Sequence, residues 1–564
     1  MARLSQGRVA PDSAVLHEQS NWNYATVLRA VAAVVPDRDA ISCSGRRISF
    51  AEFDGRTDQL ALALQRRGIG AGAKVAIDLL NAPEYLEVFY AALKLGAVPV
   101  NVNYRYKGAE LAYLLDYVDA AAIFVHGEFL GSLRQALPSL KSNVLTVVVP
   151  HGETDPAIDL LRYDELLEEG RRSSGTLGHV PSGDDLIFVC TGGTTGMPKA
   201  VMWRNDDLYV SQWMLSRPGT EPPDPGQAMR DAKRAGTTLP GPPLMHGTGL
   251  YAALATLSGG GCVVLIDEPG LDPNRIWNEI AGERVQVLTI VGDVFARPLL
   301  EALDALDHDV DVDIDVSCLK VISSSGTIFS AELKAALLER LPNLRIVDSL
   351  GATEGMISRS TATRGDVGTA KFMVSERVGV FSAEGQPIAP GSGKPGFLGV
   401  TGRLPVGYFK DPEKTAATFP TIHGRRYSIA GDMATVEHDG TIVFLGRGSA
   451  TINTGGEKVF PEEVEREIRD IVEVVDCCVV GVPDERWGQR VVAVAQLGRG
   501  AAMTGEQIID RLRMSLAGYK VPKAVVLVPS LERGPNGKID YRRVTEMASS
   551  PARPDASNAE GLPS

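Results

Sequence analysis

Between about residues 22 and 446, apolar runs of strand length alternate with stretches of helical periodicity, and this alternation constrains the fold more than any other feature. KVAIDLL (74–80) reads as a buried strand. PEYLEVFYAALKLG (83–96) reads as a helix closed by Gly96. AAIFVH, NVLTVVV, DLIFVC, CVVLID, VQVLTIV, LKVISSS and LRIVDSL read as further strands, with helices such as SAELKAALLERL between several of them. The rhythm predicts an α/β class with mixed or parallel sheets covered by helices. Ligands in such sheets gather where loops leave the carboxyl ends of strands.

After Arg447 the pattern changes. FPEEVEREIRDIV is a helix with Pro461 near its first position, and strands around VVDCCVVGV and QRVVAVAQL follow. Thr504 and Gln507 form a capping-box pattern before another helix, and KAVVLV and the loop GPNGKID come next. The predicted division is a large domain over residues 1–448, a small α+β domain over 449–547, and a disordered tail over 548–564 with little to bury.

The chain has 564 residues, 44% apolar and 23% charged, enough for several domains with buried cores. Lys and Arg total 57 against 70 Asp and Glu, and the net charge of -13 argues against a nucleic-acid partner. The six cysteines (43, 190, 262, 318, 477 and 478) show no CxxC spacing, so buried thiols are expected rather than zinc or disulfides. The first residues lack an apolar signal core, and no apolar run reaches membrane-span length. A cytoplasmic protein without membrane insertion is expected. No residue pattern specifies the assembly; a homodimer is the working expectation.

The segment TGGTTGMPK, Thr191 to Lys199, follows DLIFVC directly. Its glycines let backbone approach a ligand, its threonines offer hydroxyls, and Lys199 adds a charge, a combination suited to polyphosphate. It is not a Walker A loop, because Met197 and Pro198 follow Gly196. By composition alone it could be a plain surface turn, but its place after a buried strand favours phosphate.

This string resembles the phosphate loop of the adenylate-forming superfamily, which includes acyl-CoA synthetases, luciferases and peptide-synthetase adenylation domains. Further strings follow in the family's order: PLMHGTGL with His246, SSSGT with Ser325 and Gly326, DSLGATEG from Asp348 to Gly355, SIAGDM with Asp432, FLGRG with Arg447, INTGGEKV with Gly455 and Gly456, and GPNGKIDYR with Lys538. The segment KPGFLGVTGRLPVGYFKDPEKTAATF is similar to the family's connecting region.

The resemblance implies an ATP-dependent acyl-CoA synthetase using ATP, Mg²⁺ and coenzyme A, with a mobile C-terminal catalytic domain. Gly193, Thr194, Thr195, Gly196, Thr191 and Lys199 would hold phosphate. Glu354 would hold Mg²⁺, and Thr353 would donate to a phosphate oxygen. Asp348 and Gly351 would lie on the adenine side, together with Ser325 and Gly326. Asp432 and Arg447 would take the ribose. Lys538 would bridge the substrate carboxylate and the α-phosphate. Gly455 and Gly456 would let the pantetheine arm pass, and His246 would line the acyl side or simply cap or pack. The acid is expected to be medium, long-chain or bulky, as in an actinobacterial-type branch whose members include enzymes for steroid side chains. Gly259 to Gly261 and Gly292 would leave room for it, unless they only serve backbone turns. Alternatives are a stand-alone enzyme loading a carrier protein, a luciferase-like oxygenase, or a non-catalytic nucleotide- or acyl-binding relative.

Several positions depart from the family. Gly192 and Ala200 replace the usual Ser and Gly of the phosphate loop, Leu350 the adenine-stacking aromatic, Ala430 the Thr of the ribose motif, and Ser449 the Asp or Lys of the hinge. Gly391, Gly393 and Gly396 match G-x-G-x-x-G by chance; without a preceding buried strand and a following helix they read as a turn.

Overall fold

The structure is a computed structural model that describes residues 21–151, 160–192, 198–217, 220, 222, 236–308, 314–327, 329–368, 370–447, 452–454, 457–484, 488–516, 518–534 and 539–549. The chain divides into two compact units, Met1–Phe372 with Gly399–Ala430, and Met373–Leu398 with Gly431–Ser564.

The first unit holds two eight-stranded sheets. One runs Gly355–Ala362, Arg345–Ala352, Val321–Ser325, Val287–Ile290, Thr238–Pro240, Val263–Leu265, Asp39–Cys43, Arg46–Ser49. The other runs Gly407–Tyr408, Pro198–Arg204, Leu186–Gly192, Val98–Asn101, Lys74–Asp78, Ala120–His126, Leu145–Val149, Leu161–Arg162. Interior neighbours pair in parallel, and antiparallel pairs occur only toward the edges.

The buried residues sort into layers. Helices Tyr24–Val34, Phe50–Arg66, Pro83–Lys94 and Gly247–Ser258 contribute to one core that also takes Ile41 and Val263 from the first sheet and Val75, Ile77 and Phe124 from the second. A helical layer is thus shared by both sheets. Helices Pro273–Gly282, Gly292–His308 and Ala331–Arg340 cover the other face of the first sheet, and Gly108–Tyr117 and Leu130–Ala136 that of the second. The α/β expectation is met.

The glycines suspected of making room in an acyl pocket have backbone roles. Gly261 N–H donates to Thr256 O at 2.9 Å and Gly260 has φ +73°, which together end the helix Gly247–Ser258. Gly292, at φ +48°, opens the helix Gly292–His308 with its N–H on Ser324 Oγ at 3.0 Å.

In the second unit, strands Glu457–Val459, Ile452–Thr454, Gly488–Leu497, Val474–Asp484 and Ala524–Leu527 form a five-stranded sheet. Helices Pro461–Arg469 and Gly505–Leu512 pack on one face of it. The Thr504 capping box forms as expected: its hydroxyl accepts from Gln507 N–H, and Gln507 Oε1 accepts from Thr504 N–H. A further helix, Tyr541–Ser549, was not foreseen. It covers the other face through Val544 and Ala548, and Asp540 caps it by accepting from the N–H groups of Arg542 and Arg543. In the chance glycine match, Gly391 and Gly393 have φ +73° and +66°, and Gly396 opens the strand Gly396–Thr401 rather than a helix. Among the described residues no helix is long and apolar enough to cross a membrane.

Candidate active site

Thr353 and Glu354 are the two residues of a tight hairpin turn. They join Arg345–Ala352 to the antiparallel Gly355–Ala362, with Ala352 paired to Gly355. The close crossing requires small residues: a Cβ on Gly351 would meet Gly355 O at 3.0 Å, and one on Gly355 would meet Val400 Cγ1 at 2.8 Å. A register shift between Leu350 and Gly351 bulges the ladder just before the turn, as sheets often do beside a site. Two aromatic donors hold the turn. Trp203 Nε1–H donates to Thr353 O at 2.9 Å, and Tyr408 O–H donates to Glu354 Oε1 at 2.6 Å.

The phosphate-loop candidates lie where two strands turn back on each other. Leu186–Gly192 and Pro198–Arg204 pair antiparallel, placing Thr191 opposite Lys199 and Gly192 opposite Pro198. Gly193, Thr194, Thr195 and Gly196 are outside the described residues. Lys199 Nζ is ion-paired with Asp411, whose carboxylate also caps the helix Pro412–Thr418. The hydrogen bond from Lys199 is the main cause holding Asp411 below the usual carboxylate range.

Asp348 lies on Arg345–Ala352, buried, with Oδ2 at 2.6 Å from Lys334 Nζ. Burial pushes its carboxyl up and Lys334 draws it back. Ser325 stands opposite Ser349, and its hydroxyl lies 3.0 Å from Thr248 Oγ1, two residues past His246. Gly326 follows at φ +92°, a left-handed conformation that favours glycine. His246 precedes the helix Gly247–Ser258 without a side-chain cap bond.

Two buried asparagines that the motifs do not reveal hold these pieces in register. Asn101 donates to Cys190 O at 2.9 Å and to Met245 O at 2.5 Å, and accepts from Cys190 N–H at 2.6 Å. It therefore ties the strand entering the candidate phosphate loop to the residue before His246. Asn81 accepts from Leu244 N–H at 2.6 Å and donates to Pro242 O at 3.4 Å. In a sequence both look like polar residues at strand ends, and only the fold reveals their partners.

In the second unit Asp432 begins the strand Asp432–Val436, buried, and its backbone stands directly across from Arg447. Gly431, at φ +98°, makes the preceding turn. Lys538, Gly455 and Gly456 lie outside the described residues.

The donor set at the Thr353–Glu354 turn fits Mg²⁺, which is commonly held by one or two carboxylates completed by phosphate and water. With Oε1 engaged by Tyr408, Oε2 is the oxygen left for a cation. Another group has ion-holding spacing: ligand atoms of His126, Glu128 and His151 lie within 4.8 Å of one another. Hydrogen bonding argues against a metal there. His126 Nδ1 accepts from Leu80 N–H, so a neutral ring carries its proton on Nε2, and burial pushes its pKa down to about 3. The His126 and His151 rings are also stacked, 15° apart, so their in-plane lone pairs do not converge on one ion.

Comparisons with known proteins identify the class. The AMP-binding enzyme family matches residues 28–405, and the AMP-binding enzyme C-terminal domain matches residues 463–538. The chain belongs to this family of adenylate-forming enzymes. It is 38% identical to a 3-oxocholest-4-en-26-oate–CoA ligase of Rhodococcus rhodochrous, covering 92% of this chain and 95% of that protein. It is 37% identical to a medium/long-chain-fatty-acid–CoA/3-oxocholest-4-en-26-oate–CoA ligase of Mycobacterium marinum, covering 94% and 97%. The crystal structure of the anthranilate CoA ligase AuaEII in complex with anthranoyl-AMP matches the fold with a TM-score of 0.78 at 22% identity, covering 94% of this chain and 97% of that one.

Proposed function

We infer that this protein is an ATP-dependent, AMP-forming acyl-CoA synthetase that activates a large apolar acid, of the medium- or long-chain fatty or sterol side-chain class, and transfers it to CoA. The observation that carries this reading is the doubly held Thr353–Glu354 turn, which offers one free carboxylate oxygen on the same unit as Lys199 and Thr191. The relatives supply the acid class: the two described above are named for cholestenoate and medium/long-chain acids.

The acid's carboxylate attacks the ATP α-phosphate and pyrophosphate leaves, because a bare carboxylate is a poor electrophile and its adenylate has a good leaving group. Charge grows on phosphate oxygens in this step, so placed cations and donors are the main requirement. A bound Mg²⁺ would neutralise part of that charge. Glu354 would hold the ion, Thr353 and Thr191 would donate to phosphate, and Lys199 would leave Asp411 for the polyphosphate. Lys538 would bridge carboxylate and α-phosphate, and Asp432 would accept the ribose hydroxyls. The CoA thiol then takes the acyl group and AMP departs. Cytoplasmic location and a homodimeric assembly belong to the same proposal, and light scattering tests the latter.

The test is a panel of acids from acetate to sterol side-chain acids, scored by AMP and acyl-CoA release. Long or ring-bearing acids should turn over fastest. Preference for acetate or propionate would overturn the acid class.

A further inference from the structure

The connecting segment around Gly407–Tyr408 supplies none of the site residues read from the motifs, yet its tyrosine reaches the Thr353–Glu354 turn. We propose that Tyr408 is a positioning residue for the magnesium-holding carboxylate: its hydroxyl fixes Glu354 Oε1 so that Oε2 is presented to the ion. This rests on the reading of Glu354 as the magnesium ligand.

Three observations carry the inference. First, the Tyr408 hydroxyl is fixed in place. Tyr408 pairs with Val201 across an antiparallel ladder, its N–H donates to Thr415 Oγ1 at 2.9 Å, and Phe409 N–H donates to Ala200 O at 3.0 Å. The ring is 5% exposed, with its centroid 6.1 Å from that of Phe419 and Lys414 Nζ 4.5 Å from the ring centre. Second, the backbone before it is built for this placement. Gly407 sits at φ +152°, where a Cβ would meet Thr415 Cγ2 at 2.4 Å, so only glycine lets the strand pass. Third, among the described residues Tyr408 is the one hydrogen-bond donor to the Glu354 carboxylate. Glu354 lies in a two-residue turn, and a free glutamate there would sample several rotamers. Trp203, on the strand that pairs with Gly407–Tyr408, holds the main chain of the same turn, so neighbouring strands fix its backbone and its carboxylate separately.

A hydrogen-bond partner behind a metal ligand commonly changes metal affinity by about 10- to 100-fold. Tyr408→Phe removes only the hydroxyl and keeps the packed ring, so the fold should survive, which a thermal melt confirms.

The experiment measures ATP binding to the full chain by calorimetry across graded Mg²⁺, without acid, so that no turnover occurs. Wild type, Tyr408→Phe and Glu354→Gln are compared. The expected result is a Mg²⁺ midpoint raised about tenfold in Tyr408→Phe, with unchanged melting and near-normal ATP affinity at saturating Mg²⁺. Glu354→Gln should shift the midpoint at least as far. If Glu354→Gln shifts it and Tyr408→Phe does not, the positioning role is overturned while the metal ligand stands. If Glu354→Gln leaves it unmoved, the ligand reading and this inference fall together.

Discussion

Asp78 ends the strand Lys74–Asp78 at 2% exposure, and burial pushes its carboxyl up to about 7. The folded protein therefore binds this proton more tightly than the unfolded chain, whose carboxyl titrates near 3.8. Stability is lost as pH rises between those two values, and above pH 7 the full cost of the buried charge remains. Asp78→Asn should remove that cost, so its gain over wild type should be about 2.6 kcal/mol larger at pH 8 than at pH 5. Thermal melts at both pH values check this, and a gain independent of pH would contradict it. Lys334 presents the reverse case. It is 1% exposed and neutralises Asp348, so Lys334→Met should strand a buried carboxylate and destabilise the protein by about 3 kcal/mol. Chemical denaturation measures the loss, and a change below measurement error would show that Asp348 is protonated or hydrated instead.

Strands and helices carry the next level of organisation. Asn101 joins the strand that enters the proposed phosphate loop to the segment before His246 through three buried hydrogen bonds. Asn101→Leu should leave Cys190 N–H and Met245 O without partners, at a cost of about 3 kcal/mol. The melt should show this loss, and the KM for ATP should rise with it. Unaltered stability would mean that these groups find other partners. The parallel strands, the helix ended by Gly96 and the Thr504 capping box were legible in the residues, because apolar periodicity and cap chemistry are local. The Thr353–Glu354 site was legible as a motif. Its supports were not: Trp203 lies 150 positions from Thr353, and Tyr408 lies 54 from Glu354. Such pairings are set by how the sheets stack, and no local pattern announces them. Gly259 to Gly261 were read either as room for the acid or as backbone turns, and the helix stop they form shows a backbone role without testing the room.

At the scale of the whole molecule, two half-reactions are assigned to one chain. Lys538 and the pair Gly455 and Gly456 lie outside the described residues, so their assignment rests on motif order alone. Lys538→Ala should cripple adenylate formation and largely spare CoA attack on supplied acyl-adenylate; a bulky residue at Gly455 or Gly456 should do the reverse. Assaying each half-reaction in both variants decides it, and equal loss in both halves would refute the division. The central claim is activation through an acyl-adenylate followed by transfer to CoA. Its most direct measurement uses a long-chain or sterol side-chain acid labelled with oxygen-18 in the carboxylate, incubated with the full chain, ATP, Mg²⁺ and CoA, with products read by mass spectrometry. The account predicts acyl-CoA together with AMP that carries one labelled oxygen, and pyrophosphate that carries none. Unlabelled AMP, label in inorganic phosphate with release of ADP, or no acyl-CoA from any acid would contradict it.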